Sequence, residues 1–77
     1  MMPFISGEEL LRLREKYKPG TRVEILHMDD VQAPPQGTRG TIRGVDDAGD
    51  LLLTWDTGST LKLIIGVDDF RVVNDDD

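Results

Sequence analysis

The sequence contains no cysteine, so no disulfide can reinforce the fold and no thiolate can bind zinc. It contains a single histidine, which leaves no choice of partners for a Cys–His or Ser–His–Asp arrangement. Neither GxGxxG nor GxxxxGK[ST] occurs, so the common phosphate-binding loops are excluded. A chain of 77 residues forms one small domain with a filled interior and no catalytic cleft. We therefore expect a protein that is not an enzyme and that holds no cofactor.

Long apolar runs and basic residues are also scarce. No apolar stretch approaches the roughly 20 residues that cross a bilayer, and MMPFISGEELL lacks the basic and apolar regions of a signal peptide. These features predict a cytoplasmic protein with no membrane partner. Nine basic residues face 15 acidic ones, giving a net charge of −6. Because nucleic-acid affinity rests on clustered Lys and Arg, this balance disfavours nucleic acid as the main partner.

Residues 1–20 are predicted to form a lead-in and one helix. Ser6 begins a capping box, and the apolar residues that follow it recur at helical spacing. Those residues are Leu10, Leu13 and Tyr17, and Leu11 widens the stripe. Pro19-Gly20 then stops the pattern. We expect a helix from about residue 7 to 17, with its apolar stripe packed against the rest of the chain.

Residues 21–73 change to the two-residue period of β-strands. The predicted strands cover residues 22–28, 38–45, 50–56, 59–64 and 70–73. Five short strands favour closure into a barrel, because an open sheet would leave both edges and one apolar face in water. The acidic segment 74–77 is expected to be a disordered tail. The predicted fold is mainly β: a small five-stranded barrel with one N-terminal α-helix.

The lengths of the hairpin loops decide which side chains face the core. A three-residue loop at 56–58 keeps every apolar residue of its two strands inside, and Gly58 supplies the left-handed residue that such a loop needs. For the preceding hairpin we favour a four-residue loop at 46–49, which sets Gly40 opposite Trp55. A three-residue loop would require a bulge at Gly44 that also turns Val45 inward. Either choice places Trp55 in the core; the alternative is that Trp55 lines a peptide groove.

Three segments carry a family resemblance: PGTRVEILHMDD, GTRGTIRGVDDAGDLLLTWDTGS and LKLIIGVDDFRVV. Over residues 19–73 they resemble a bacterial family, the domain of unknown function 4314. The family pattern commonly has Asn-Gly at the second hairpin and Pro before Gly66, where this chain has Thr57 and Ile65. The resemblance implies an SH3-like barrel found on mobile elements such as conjugative elements and phages, and it implies no catalytic or binding residues. A looser likeness to KOW and Tudor-like barrels agrees with this fold without indicating a function.

The aspartate pairs at 29–30, 46–47 and 68–69 invite a calcium interpretation, but none fits the EF-hand loop. Each pair lies where Asp commonly makes turn hydrogen bonds, so we expect no metal site. Binding in small barrels concentrates on loops held by a rigid sheet, which points to the 29–37 loop, two hairpin tips and a strand with two arginines on one face. The candidate residues are Asp29, Asp30, Val31, Gln32, Arg39, Arg43, Asp47 and Thr57.

These observations predict a non-enzymatic binding or adaptor module whose partner is a protein. One alternative is a weak, KOW-like nucleic-acid contact through Arg39 and Arg43. Another is an acidic inhibitor that mimics DNA, which the net charge permits. The sequence leaves the oligomeric state open, although an exposed edge strand would allow dimerisation.

Overall fold

The computed structural model describes residues 5–74, which contain one helix and four strands. They are α1 (Gly7–Lys16), β1 (Arg22–His27), β2 (Arg39–Val45), β3 (Leu51–Trp55) and β4 (Asp69–Val73). The acidic tail expected at 74–77 lies outside the described residues, apart from Asn74.

Helix α1 begins where the capping box predicts. The Ser6 Oγ accepts a hydrogen bond from the Glu9 backbone N–H at 3.1 Å. The helix ends at Lys16, one residue before the expected end, because Tyr17 leaves helical geometry and packs into the core. The predicted docking of the apolar stripe is confirmed at Leu10 and Leu13, which pack on the core, but it is wrong for Leu11, which is 61% exposed.

The strands form one open antiparallel sheet in the order β3-β2-β1-β4. The prediction of a closed five-stranded barrel is therefore wrong, although the prediction of a mainly β fold is confirmed. The expected strand at 59–64 does not form. Its register is kept at one point, where Leu51 and Leu63 exchange two backbone hydrogen bonds of 2.9 and 3.1 Å.

Side chains interrupt the ladder that this fifth strand would need. The Trp55 indole Nε1 donates to the Leu61 carbonyl at 2.8 Å, and the Ser59 Oγ accepts from the Leu61 N–H at 3.2 Å. Both backbone groups of Leu61 therefore bond to side chains in place of Leu53, their partner in the predicted ladder. Residues 59–68, which we call the cover segment, instead run across the inner face of the sheet from the β3 edge to the β4 edge.

The cover segment shields the apolar face that an open sheet would leave in water. Leu63 is fully buried, and Leu61 and Ile65 pack against the core. The helix covers another part of the same face. The apolar face is thus shielded by irregular chain and a helix rather than by closure of a barrel.

The loop predicted between β3 and the cover segment is confirmed. The Trp55 N–H donates to the Ser59 carbonyl at 2.8 Å, which closes a three-residue loop at 56–58. Gly58 has a φ of +94°, a conformation that other residues rarely adopt.

The favoured loop for the β2–β3 hairpin is wrong. The Asp46 N–H donates to the Asp50 carbonyl at 3.0 Å, so the loop has three residues, 47–49, with Gly49 at a φ of +85°. A bulge between Ile42 and Gly44 restores the register beyond it. The bulge turns Val45 into the core, where it is 7% exposed. The four-residue loop would have left Val45 on the outer face, which explains why the bulged alternative forms.

Trp55 belongs to the core, as predicted. It is 1% exposed and lies directly over Gly40, its partner on β2. A Cβ placed on Gly40 would lie 2.6 Å from the Trp55 Cε3. Glycine is therefore required beneath the ring. The other members of the buried core are Tyr17, Val23, Ile25, Ile42, Val45, Leu51, Leu53 and Leu63.

Candidate functional site

The predicted interaction residues occupy three separate places. Strands β1 and β3 run in the same direction, so the 29–37 loop and Thr57 lie at one end of the sheet and Asp47 lies at the other. Arg39 and Arg43 lie on the outer face, away from the core, because Gly40 and Ile42 point inward.

The loop after β1 is shaped by a turn at Asp30. The Asp30 Oδ1 accepts from the Gln32 N–H at 2.8 Å, and the Asp30 carbonyl accepts from the Ala33 N–H at 3.0 Å. Val31 is fully exposed at the tip of this turn. The predicted turn-bonding role of the aspartate pairs is confirmed here, and also at Asp46 and Asp68.

A depression of about 350 Å³ separates this loop from the cover segment. We call its lining the Ile64 surface. It consists of Met28, Asp29, Asp30, Leu61, Lys62, Ile64, Val67 and Asp68. Half of these residues are apolar, and two of them project into solvent: Ile64 is 43% exposed and Val67 is 71% exposed.

A tight turn presents these two side chains. The Ile64 carbonyl accepts from the N–H groups of Val67 and Asp68 at 3.1 and 2.9 Å. The Asp68 Oδ2 accepts in return from the Ile64 N–H at 2.8 Å. Three hydrogen bonds thus hold Ile64 and Val67 outward, and their exposure is a property of the folded turn.

Ile64 also borders a second depression, of about 390 Å³, on the side of helix α1. Its other lining residues are Ile5, Glu9, Leu13, Ala48, Gly49, Asp50 and Ile65. The two depressions therefore flank one exposed isoleucine. The hairpin tip that contains Asp47 contributes to the second depression through its neighbours, while the Asp47 side chain turns away to Arg14 at 3.0 Å.

Carboxylates surround both depressions. Together their linings carry five acidic side chains and one base, Lys62. The Lys62 Nζ is held 2.8 Å from Asp46, and this hydrogen bond raises the pKa of Lys62 and lowers the pKa of Asp46. Because the ammonium is already engaged by a carboxylate outside the linings, the two depressions lie in negative surroundings.

The outer face of the sheet has the opposite charge. It carries all four arginines of residues 21–73, which are Arg22, Arg39, Arg43 and Arg71. Arg22 binds Asp56 through two hydrogen bonds of 2.7 Å. Glu24 accepts from Arg71 at 3.2 Å and from Arg39 at 3.1 Å. Arg71 makes the largest contribution to lowering the pKa of Glu24, and Arg39 lowers it further. Arg22 lowers the pKa of Asp56.

Arg43 differs from the other three arginines of this face. Its contact in the sheet is with the Thr54 hydroxyl, at 3.4 Å. Four guanidinium groups and three carboxylates, those of Glu24, Asp56 and Asp69, leave the outer face with a net charge of +1. Arg39 and Arg43 therefore lie on one face, as predicted. Carboxylates of the same face neutralise much of its positive charge.

Sequence reasoning found the acidic loop of this site and missed its apolar part. Asp29 and Asp30 were identified from the loop, whereas Ile64 was assigned to a strand and Val67 to a turn. A usable signal was present in the run IIGV, because a strand followed by a tight turn cannot bury all of its apolar residues on one face.

Two further observations concern metals and membranes. Within residues 5–74, no three His, Cys, Asp or Glu side chains are grouped so that they could hold a metal ion. The one helix of the same region is too short and too polar to span a bilayer.

Comparison with known sequences gives one result. A family model described as "Domain of unknown function (DUF4314)" matches residues 6–73, nearly the whole chain. No curated protein matches this sequence.

Proposed function

Because the chain belongs to the DUF4314 family, whose description assigns no activity, we propose a function from its own surface: it is a small, non-enzymatic module that binds another protein. The observation that carries this proposal is the exposure of Ile64 and Val67 beside a depression on the Ile64 surface. Exposed apolar side chains that gather at one concave place commonly mark an interaction site.

The energy available at this surface suits a modest interaction. Burial of a complete Ile or Val side chain stabilises by about 1.5–3 kcal/mol. Scaled by the exposed fractions of Ile64 and Val67, a partner could gain about 2–3 kcal/mol from these two residues. Met28 and Leu61 add apolar area at the same place. The combined apolar area of these four residues can accommodate two or three side chains of a partner.

A protein partner agrees with the surface better than a nucleic acid does. Sequence-independent binding of single strands relies on aromatic side chains for stacking. In the described part of the chain Trp55 is buried, and Tyr17 lies against Phe70 with ring centroids 5.8 Å apart. Arginines suitable for phosphate contacts are present, but Arg22 and Arg39 already hold carboxylates. The KOW-like alternative therefore has less support.

Selection from a random peptide library would test this proposal. We expect selected peptides to shift the NMR signals of Ile64 and Val67. They should bind about three- to tenfold more weakly to Ile64→Ser and about tenfold more weakly to Val67→Ser, because each change removes apolar contact in proportion to the exposed area. Matched controls are Leu11→Ser on the helix and Leu52→Ser on β3, which shorten exposed apolar residues elsewhere.

The controls also define the contradicting result. Peptides that bind Ile64→Ser and Val67→Ser as tightly as the unchanged protein would place the docking site elsewhere. If their binding were lost only in Leu11→Ser or Leu52→Ser, the helix or the outer face would be the interaction surface.

The resemblance also supports a cellular context, which is part of the proposal: a bacterial protein encoded on a mobile element. Gene neighbourhood tests this part. Conjugation or phage genes beside it in many genomes would support the assignment, and a constant chromosomal housekeeping neighbourhood would contradict it.

A further inference from the structure

We infer that the partner of the Ile64 surface is a basic amphipathic segment of a protein, in which apolar side chains are flanked by Lys or Arg. This inference rests on the protein-binding function proposed above and adds the chemistry of the partner. Three observations carry it: the distribution of unpaired carboxylates, the opposite charge of the outer sheet face, and the apolar side chains between the acids. We call these side chains the apolar floor; they are Met28, Leu61, Ile64 and Val67.

The carboxylates that form no salt bridge are concentrated around the two depressions that flank Ile64, and three of them belong to the Ile64 surface itself. Residues 5–74 contain twelve acidic side chains, and five of them form salt bridges, namely Glu8, Glu24, Asp46, Asp47 and Asp56. Of the seven that form none, five line the two depressions. These are Glu9, Asp29, Asp30, Asp50 and Asp68. Elsewhere in residues 5–74 most acids have a basic partner, so the acids around the two depressions remain available for charges brought by a ligand.

The charge of the outer sheet face reinforces this local pattern. Five carboxylates and one ammonium give the two linings a net charge of −4, whereas the outer face of the sheet is positive. Opposite faces with opposite charge orient an approaching ligand and raise its association rate. A basic segment would therefore be drawn to the side of the molecule that carries the apolar floor.

The apolar floor excludes simpler ligands. A metal ion or a polyamine would use the carboxylates and leave Ile64 and Val67 in water. A segment that alternates apolar and basic residues satisfies both features, since its apolar side chains can lie beside Ile64 while its cations reach Asp29, Asp30 or Asp68. We therefore assign one occupant, a stretch of another protein with this composition.

Three synthetic peptides of equal length test the inference, with NMR titration as the readout. The first alternates Leu with Lys, the second Leu with Glu, and the third Ser with Lys. We expect the Leu–Lys peptide to shift the Ile64 and Val67 signals and to bind at least tenfold more tightly than either of the others. Its affinity should also fall severalfold between about 0.05 M and about 0.3 M NaCl, because exposed charges are screened by salt.

A pair of charge variants separates site-specific attraction from net charge. Asp29→Asn with Asp30→Asn removes two carboxylates and retains the side-chain oxygen that accepts from the Gln32 N–H. Glu8→Gln with Glu15→Gln removes the same charge from the exposed face of the helix. We expect the first pair to weaken binding of the Leu–Lys peptide about three- to tenfold and the second to change it less than twofold.

Each other result has a distinct meaning. Equal binding of the Leu–Glu peptide at Ile64 and Val67 would overturn this inference and leave the protein-binding function standing. If the Ser–Lys peptide bound as tightly as the Leu–Lys peptide, nonspecific charge attraction would explain the binding, and both proposals would be overturned. If neither leucine peptide shifted Ile64 or Val67, both would also fall. Self-association that disappears in Val67→Ser would make a second copy of this chain the occupant and overturn the inference.

Discussion

Replacing Gly40 with alanine tests the close approach of the indole ring to strand β2. The added Cβ would lie 2.6 Å from the Trp55 Cε3 and 3.1 Å from its Cδ2 and Cζ3. The ring has no room to withdraw, since Trp55 is 1% exposed and its Nε1 is bonded to the Leu61 carbonyl at 2.8 Å. Something in the core must shift, and overpacking of this kind typically costs about 1–3 kcal/mol.

Gly44 provides a matched control on the same strand. A Cβ at Gly44 meets no atom within 4 Å, and its φ is not in the left-handed region. Both substitutions remove the backbone freedom of glycine from the unfolded chain, which favours alanine by about 0.5–1 kcal/mol. Since this gain is common to both variants, the difference between Gly40→Ala and Gly44→Ala isolates the steric clash.

Thermal and urea unfolding followed by far-ultraviolet circular dichroism would measure that difference. We expect Gly40→Ala to be less stable than Gly44→Ala by about 1–3 kcal/mol. For a domain of this size the gap corresponds to about 5–20 °C in Tm. Equal stabilities of the two variants would refute the reasoning, because they would mean that the indole does not lie against Gly40 in solution.

The remaining predictions concern the core, acid stability and nucleic acid. Trp55 should fluoresce at blue-shifted wavelengths in the native state, and Trp55→Ala should lower the free energy of unfolding by about 3–5 kcal/mol. Arg71 and Arg39 lower the pKa of Glu24 in the folded protein. The ionised Glu24 therefore stabilises the fold above about pH 4.3, the ordinary pKa of a glutamate. This contribution is lost as the pH falls through the lowered pKa. Urea unfolding from pH 7 to 2 should therefore show a smaller acid-induced loss in Glu24→Gln than in the unchanged protein. Fluorescence anisotropy at about 0.15 M salt should detect no tight binding to duplex DNA or RNA, because Arg39 and Arg43 can neutralise only about two phosphates.

Specific results would contradict these three predictions. Native emission like that of free tryptophan would place Trp55 at the surface and revive the peptide-groove alternative. A Glu24→Gln profile parallel to that of the unchanged protein would mean that the two arginines do not hold this carboxylate in solution. Sub-micromolar nucleic-acid binding that is lost in Arg39→Ala and Arg43→Ala would favour the KOW-like alternative.

The local geometry of the hairpins could be predicted because it depends on rules that act over a few residues. The loop at 56–58 follows from the two-residue period of the strands and from the left-handed conformation that Gly58 allows. The same parity placed Trp55 over Gly40. The favoured loop length was wrong at the preceding hairpin, between β2 and β3, because a bulge at Gly44 adds a residue that the alternation pattern does not reveal.

Closure of the barrel could not be predicted for a different reason. The segment after Ser59 has the alternation of a strand, yet a single indole N–H takes the Leu61 carbonyl. This bond spans only six residues, but it depends on the place of the indole over Gly40 in the sheet, which the alternation of the cover segment does not encode. The candidate site was affected in the same way: its acids came from a recognisable loop, whereas the exposure of Ile64 and Val67 results from where the cover segment runs.

The order of the strands in the sheet has a consequence for how the chain folds. Strands β2 and β3 are neighbours in sequence, so their hairpin can form early from local contacts. Strand β1 instead needs β4, and their register joins Arg22 to Val73. Closing a loop of about 50 residues costs about 3 kcal/mol of chain entropy before the pair contributes anything. We therefore expect β4 to join last. During synthesis the edge of β1 that pairs with β4 therefore stays unpaired until nearly the whole domain has left the ribosome. In that interval the chain is most prone to aggregate.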